Sequence, residues 1–295
     1  MFDVGALTSG LLTGLREGVE ASLIVAIILA YLAKTGNARH FPKILLGTGA
    51  AIAISVVAGI VLIVTVGGLE EPYEQIFEGL TMLLAAAVVT WMLFWMRRQA
   101  ASVRSELHES VDRALTEGSL WGLALLAFTA VIREGVETSL FLVGQIQAAN
   151  SNTDAGAASV LLGAVIGLAI AVVIGYGFYS GARLVNLQSF FRWTGIALIF
   201  IAAGLLSHAV HEFIEVGVIT FGTQTAFDLS GVLPHDEQSG NVLGQLLRAL
   251  FGYTATPEVT TLLVHVAYVV VVLVLYLRPV QPSRPVERRE VVPQS

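Results

Sequence analysis

Two copies of one charged pentapeptide are the residues of this sequence best suited to a chemical task. Arg-Glu-Gly-Val-Glu occupies 16–20 and again 133–137, each time inside an otherwise apolar run. Residues three and four apart share a face of an α-helix, so each copy would present one guanidinium and two carboxylates together. Carboxylate oxygens are hard ligands for metal cations, and a guanidinium can neutralise and orient one carboxylate through charged hydrogen bonds.

The charges of the two copies favour a cation over an anion. With every group ionised each copy carries a net charge of −1, so a facing pair carries −2 and balances a divalent ion; a trivalent ion would need further ligands or hydroxide. Each charge at the centre of an apolar segment costs about 2.5–3.5 kcal/mol, so partners must offset most of that cost. The alternative role is a pair of internal salt bridges that fix helix register. We expect the glutamates to bind metal and the arginines to organise them: Glu17, Glu20, Glu134 and Glu137, with Arg16 and Arg133.

A second set of metal-ligating residues is predicted where a stripe of histidine and carboxylate ends a later apolar run. The stripe occupies positions i, i+3, i+4 and i+7 of one helix face, and two more glutamates begin an earlier run at the same expected end of the bundle. These residues are His208, His211, Glu212 and Glu215, with Glu74 and Glu78. Histidine together with carboxylate suits Fe, Mn, Zn or Ni better than Ca or Mg. We expect an outer vestibule for a metal cation, with an interfacial cap as the alternative.

The elements that position these residues are transmembrane helices. The sequence is 55% hydrophobic and 13% charged, with a mean hydropathy of +0.77, values outside the range of soluble domains. Seven apolar stretches are long enough to cross a bilayer, at about 8–33, 43–67, 74–96, 119–147, 156–182, 190–215 and 260–277. Basic and acidic residues alternate between the loops, which predicts an outer N-terminus and an inner C-terminus. We therefore expect an all-α membrane protein with seven transmembrane helices.

The first six spans are expected to form two inverted repeats of three helices. An offset of 117 residues superposes the pentapeptides, and an offset of 116 aligns the second and third spans with the fifth and sixth. A unit with an odd number of spans places the next unit upside down, as in many transporters. The predicted divisions are a first repeat (1–100), a cytoplasmic amphipathic linker (101–118), a second repeat (119–216), an extracytoplasmic loop (217–259), a seventh helix (260–278) and a disordered cytoplasmic tail (279–295).

The doubled R-E-x-x-E motif, in the first and fourth of seven spans, resembles the iron permease family. This FTR/EfeU-type group is also called the oxidase-dependent iron transporters and includes lead-uptake relatives. The resemblance covers about 1–278 and includes the H-x-x-H-E-x-x-E stretch. It implies iron import across the plasma or inner membrane, with the motif glutamates handling the ion. It also implies an extracytoplasmic iron-binding protein or oxidoreductase as a partner that presents the metal.

The sequence narrows the remaining possibilities. Because it contains no cysteine, it cannot supply disulfides, thiolate metal sites or iron–sulfur ligands. The sequence also lacks the P-loop motif of ATP-hydrolysing proteins. We expect a transporter embedded in membrane lipids, and neither an enzyme nor a nucleic-acid-binding protein. Iron is expected to be its substrate, and no resident cofactor is expected. The alternatives are an importer of another divalent metal (Pb, Mn or Zn) and a haem-binding redox protein using His208 or His211 with His265. Whether the ion is Fe²⁺ or Fe³⁺, the coupling, the oligomeric state and the exit route stay open.

Overall fold

The structure, a computed structural model, describes residues 3–66, 73–99, 103–116, 120–150, 154–182, 186–234 and 241–278. Apart from one isolated bridge between Thr225 and Glu258, these residues form helices and connecting loops, so the all-α prediction is confirmed. The elements are α1 (Val4–Lys34), a 3-10 turn (Ala38–His40), α2 (Phe41–Val66), α3 (Tyr73–Gln99), α4 (Val103–Thr116), α5 (Leu120–Asn150), α6 (Asp154–Tyr179), α7 (Leu187–Glu215), α8 (Val242–Phe251) and α9 (Val259–Leu277).

Five helical segments are long and apolar enough to cross a membrane, which makes the chain a multi-pass membrane protein. They are Ala38–Val64, Tyr73–Met96, Gly156–Tyr179, Leu187–Glu215 and Val259–Leu277. Helices α1 and α5 have 31 residues each, and the three charges of a pentapeptide interrupt the apolar sequence of each one. Large apolar side chains of α2 such as Leu45, Val57 and Val64 are exposed on the protein surface, as expected for contact with lipid.

Polar side chains fix where the helices begin. The Asp3 carboxylate accepts a hydrogen bond from the Ala6 amide at 2.9 Å and caps α1, while the Asp3 amide donates to Ser159 Oγ of α6 at 3.0 Å. Asn186 caps α7 and Asn241 caps α8 in the same way. These caps satisfy amides that have no partner within the helix, and Asp3 also ties the start of α1 to α6.

The helices that carry the pentapeptides each pack along the second helix of the other predicted repeat. On α1, Gly10 faces Val160 and Gly14 faces Ala164 of α6, so closely that no Cβ would fit. Because both residue numbers rise together, α1 and α6 run parallel. On α5, Ser139 Oγ donates to the Ser55 carbonyl of α2 at 3.0 Å. The backbone of Gly47, earlier on α2, meets Ala124, earlier on α5, so this pair is parallel too.

Helices α1 and α5 cross the centre of the bundle in opposite directions. Thr13 Oγ1 accepts a hydrogen bond from Gln145 Nε2 at 2.7 Å, whereas Glu17 lies beside Glu137. The number rises on one helix as it falls on the other. Helices α3 and α7 pack beside them around a core of apolar residues that includes Met82, Met92, Phe141, Leu198 and Leu205.

The predicted connections contain two further helices. Helix α4 occupies most of the predicted linker, and its Asp112 accepts a hydrogen bond from the Tyr31 hydroxyl of α1 at 2.7 Å. Helix α8 lies within the predicted outer loop and packs against Gly5 of α1 through Gln245 and Ala249. The predicted disordered tail at 279–295 lies outside the described residues.

Candidate metal centre

Three glutamates from the two pentapeptides converge at the centre of the bundle. Helix α1 supplies Glu17, and α5 supplies Glu134 and Glu137 three residues apart on one face. One carboxylate oxygen of each lies within 4.8 Å of the others, and all three side chains are buried. Elsewhere in the described segments no three histidine, aspartate or glutamate side chains come this close. We call these residues the central trio.

Each member of the central trio has one oxygen without a hydrogen-bond partner among the described residues. These atoms are the Oε2 oxygens of Glu17, Glu134 and Glu137, and all are shielded from solvent. A buried polar atom left unpaired costs about 1–3 kcal/mol, and more when it belongs to a charged group. Three carboxylates in this condition form a site that a cation would complete, because a cation can accept an electron pair from each oxygen at once.

The arginine of the first pentapeptide is paired within its own motif. Arg16 Nη1 donates to Glu17 Oε1, and Arg16 Nη2 lies 3.0 Å from Glu20 Oε1 without the alignment of a hydrogen bond. Glu20 was predicted as a metal ligand alongside the other three glutamates. The structure places it beside Arg16, outside the central trio.

The arginine of the second pentapeptide is paired more loosely. Arg133 Nε donates to Glu137 Oε1 at 3.1 Å, and the same nitrogen lies 3.9 Å from Glu134 Oε1. The Arg133 side chain is 32% exposed, whereas that of Arg16 is 2% exposed. The two copies of the motif therefore have identical sequences but different surroundings.

Helix α3 holds both arginines from one side. Arg16 donates to the sulfur atoms of Met92 at 3.2 Å and Met96 at 2.8 Å, and the Arg133 guanidinium lies 3.9 Å from the centre of the Trp95 ring. Cation–π contacts of this kind contribute about 0.5–2 kcal/mol. Sequence reasoning missed these three residues, since apolar side chains in an apolar span give no sign of a polar contact.

The residues predicted to form an outer vestibule line one cavity of about 660 Å³. The cavity is bounded by all six of them, Glu74, Glu78, His208, His211, Glu212 and Glu215, and also by Glu258, Thr261 and Arg248. Within the described part of the chain, no three of its ligand atoms converge as closely as those of the central trio. The arrangement therefore fits a negatively charged vestibule that attracts cations better than a single high-affinity metal site.

Glu258, which sequence reasoning did not single out, joins the start of α9 to the histidine stripe. Its Oε1 accepts a hydrogen bond from His211 Nδ1 at 2.7 Å, and its Oε2 accepts one from the Thr261 hydroxyl at 2.9 Å. Burial raises the pKa of Glu258, but a backbone hydrogen bond, His211 and Thr261 outweigh burial and hold this pKa below its usual value. The only sequence signal was an acidic residue directly before the last apolar run.

The histidines of α7 present their Nε2 atoms as the potential ligands. His211 Nδ1 donates to Glu258, which leaves Nε2, 3.4 Å from Glu215 Oε1, as the nitrogen that could face a metal. His208 Nδ1 donates to the Gly204 carbonyl at 2.9 Å, which fixes the same tautomer. His265, the axial ligand in the haem alternative, is hydrogen bonded through Nδ1 to Ser207 at 3.0 Å.

Comparison with known proteins gives one consistent match. The model of the Iron permease FTR1 family matches residues 7–280. The chain is 37% identical to the ferrous iron permease EfeU of Escherichia coli O6:H1 (strain CFT073) over 267 residues, which cover 90% of this chain and 93% of the relative. It is 34% identical to the ferrous iron permease EfeU of Yersinia pestis over 266 residues, or 90% and 91% of the two chains. No solved structure matches the chain.

Proposed function

Because the chain belongs to the iron permease FTR1 family, we propose that it imports iron across the plasma or inner membrane through the central trio. The observation that carries the proposal is the convergence of Glu17, Glu134 and Glu137 within 4.8 Å from two antiparallel helices, all of them buried. Salt bridges that fix helix register would need one carboxylate for each arginine. The two motifs supply four buried carboxylates for two arginines, and the surplus carboxylates with unpaired oxygens have a purpose if a cation binds there.

The transported ion we propose is Fe²⁺. Four motif glutamates and two motif arginines sum to −2, so a divalent ion makes the buried site neutral, while a trivalent ion leaves one positive charge in a medium that penalises it. The curated relatives are named as permeases for ferrous iron, which agrees with this sum. In this proposal Glu17, Glu134 and Glu137 contact the ion. Glu20 contributes a negative charge that pairs with Arg16 and does not contact the ion.

The architecture we propose is a seven-span bundle with an outer N-terminus and two inverted repeats, α1–α3 and α5–α7. Three observations support it: α1 and α5 are antiparallel, α1 packs along α6, and α2 packs along α5. The last two pairings are equivalent in the two repeats, because each one joins the first helix of one repeat to the second helix of the other. Glu17 and Glu134 also lie near the middle of their 31-residue helices, so the central trio would lie near the membrane midplane, where such transporters bind substrate.

The vestibule would collect the ion on the outer side. Its carboxylates raise the local concentration of cations, and its imidazole nitrogens favour iron over calcium or magnesium. An extracytoplasmic iron-binding protein or oxidoreductase is the partner we expect to deliver iron there.

Uptake by the purified protein in proteoliposomes tests the proposal. We expect uptake of Fe²⁺ under anaerobic reducing conditions to exceed uptake of Mn²⁺, Zn²⁺ and Pb²⁺, and Glu137→Gln to abolish it. Glu109→Gln is the matched control, since Glu109 is an exposed α4 residue whose ion pair with Arg113 spans 3.8 Å. Normal Fe²⁺ uptake by Glu137→Gln would exclude the central trio as the binding site, and a preference for another metal would reassign the substrate.

A further inference from the structure

A second, smaller cavity adjoins the vestibule. It measures about 50 Å³ and is lined by residues of α1, α5, α7 and α8, among them Ser9, Gln145 and Gln245. His208 and Arg248 line both cavities, so these two side chains form the wall between them. Arg248 donates a hydrogen bond to the Ala148 carbonyl of α5 at 3.3 Å, which anchors this part of the wall.

A buried polar face of α1 runs from the small cavity to the central trio. Ser9, Thr13 and Glu17 are spaced four residues apart, so they lie above one another on one side of the helix, and all three are buried. Ser9 lines the cavity, and Glu17 belongs to the central trio. Four helical residues rise by about 6 Å, so this face places side-chain oxygens at intervals of that order between the small cavity and the central trio.

Gln145 of α5 lies beside this face with an unsatisfied oxygen. Its side chain is 5% exposed, and its Nε2 donates to Thr13 Oγ1 at 2.7 Å. Its Oε1 is buried and has no hydrogen-bond partner among the described residues, although Gln145 lines the small cavity. The hydrogen bond between α1 and α5 accounts for the burial of the amide nitrogen. It does not account for the buried, unpaired amide oxygen, which costs about 1–3 kcal/mol of stability.

Resting on the proposed function, we propose that the small cavity is the outer passage of the metal ion and that Gln145 Oε1 is a transit ligand between vestibule and central trio. The small cavity of about 50 Å³ is much smaller than the vestibule of about 660 Å³, so an ion that enters it sheds part of its hydration shell. The amide oxygen replaces part of that shell. Gln145 is therefore a specificity-determining residue, because it binds the ion at the step where hydration is lost.

A neutral ligand suits this position for a kinetic reason. An ion must bind well enough to enter a passage and weakly enough to leave it. Carboxylates attract a divalent cation at both ends of the route, diffusely in the vestibule and through converging oxygens in the central trio. An uncharged oxygen between them lowers the barrier for dehydration without creating a second tight site.

The test compares two buried glutamines of the same helix. Gln147 is 6% exposed and has no hydrogen bond to either amide atom within the described segments, but it does not line the small cavity. We expect Gln145→Leu to lower the initial rate of Fe²⁺ uptake by at least about tenfold, the effect of losing one ligand of hydrogen-bond strength. Its equilibrium Fe²⁺ affinity in detergent should stay within about threefold of wild type, since the central trio is intact. Gln147→Leu should transport normally.

A charged variant covers the case in which Gln145→Leu does not fold. Gln145→Glu keeps the shape of the side chain and adds a carboxylate, so we expect one additional bound Fe²⁺ per chain and slower uptake. Uptake by Gln145→Leu equal to that of Gln147→Leu overturns the inference, as does wild-type uptake and stoichiometry in Gln145→Glu. If the wild-type protein neither binds nor transports Fe²⁺, the proposed function fails. If Glu137→Gln abolishes uptake and the Gln145 variants transport normally, only this inference fails.

Discussion

Replacing Glu134 by glutamine should stabilise the metal-free protein against heat and remove its stabilisation by Fe²⁺. Glu134 is the least compensated carboxylate of the central trio, because its Oε1 lies 3.9 Å from Arg133 Nε, whereas Glu137 accepts a hydrogen bond from that atom at 3.1 Å. Glutamine preserves the shape of the side chain and removes its negative charge. The substitution therefore tests charge with little change in packing.

The expected gain follows from the distances within the central trio. Two unit charges no more than 4.8 Å apart repel each other by about 3.5 kcal/mol at an effective dielectric constant of about 20. Glu134 has two such neighbours, Glu17 and Glu137, so glutamine removes roughly 7 kcal/mol of repulsion and about 4 kcal/mol of attraction to Arg133 Nε at 3.9 Å, a net gain of about 3 kcal/mol before the surroundings relax. If relaxation leaves only about 1 kcal/mol, the melting temperature still rises by about 2–4 °C.

Thermal unfolding of the purified protein, with and without anaerobic Fe²⁺, measures both effects. A bound ion at about 100 times its Kd stabilises the folded state by about 2.7 kcal/mol, and we expect this gain for wild type and not for Glu134→Gln. The matched control is Glu20→Gln, since Glu20 is also buried but lies 3.0 Å from Arg16 and outside the central trio. It should lower the metal-free melting temperature, because it leaves part of the Arg16 charge uncompensated.

One result would refute this electrostatic argument. If metal-free Glu134→Gln purifies as a folded protein but melts at or below the wild-type temperature, the three carboxylates do not repel one another in the empty site. At least one carboxylate of the central trio would then be protonated in the metal-free protein. The net charge of −2, which assumes that all motif side chains are ionised, would no longer apply.

Three further predictions follow from contacts around the site. Hydrogen bonds hold the pKa of Glu258 below its usual value of 4.5, so the ionised carboxylate stabilises the folded protein above pH 4.5. This stabilisation is lost as the pH falls through the lower pKa of the folded state. The difference in melting temperature between wild type and Glu258→Gln should therefore shrink below about pH 4.5. Trp95→Leu should weaken Fe²⁺ binding measured by titration, by up to about tenfold, because Arg133 loses its cation–π partner, whereas Trp95→Phe should retain most of the affinity. Gly163→Ala should prevent folding, since its Cβ would strike the α1 backbone, whereas Gly49→Ala, with open space around it, should slightly raise the melting temperature.

Much of the central site could be predicted from the sequence because helical spacing decides which side chains of one helix are neighbours. Arg16 and Glu20 are four residues apart, and their 3.0 Å approach follows from that spacing. The repeat of the pentapeptide likewise predicted that two helices would bring their charges together. The grouping of the vestibule residues was predictable for the same reason, since His208 and Glu215 occupy one stripe of a single helix.

The choice of three glutamates out of four could not be predicted from the sequence. It depends on how far α1 is shifted along α5, and that shift is set by packing between helices. Close approach at Gly10 and Gly14 fixes α1 against α6, and the bond between Thr13 and Gln145 fixes it against α5. Small residues of this kind occur throughout the sequence, so no local pattern identifies the ones that set the register.

The proposed repeat also explains how two identical motifs give a site with different sides. The offset that aligns the spans places Met92 on His208, Trp95 on His211 and Met96 on Glu212. In α7 these positions bear ligands that line the vestibule, whereas in α3 they bear two thioethers and an indole that hold the motif arginines. An ion in the central trio therefore has carboxylates and imidazoles on one side and guanidinium groups on the other. If the ion is transported as proposed, we expect its release on the α3 side to require movement of the arginines, because they repel a cation and the vestibule attracts it. The strength of their contacts with α3 would then set the rate of that step.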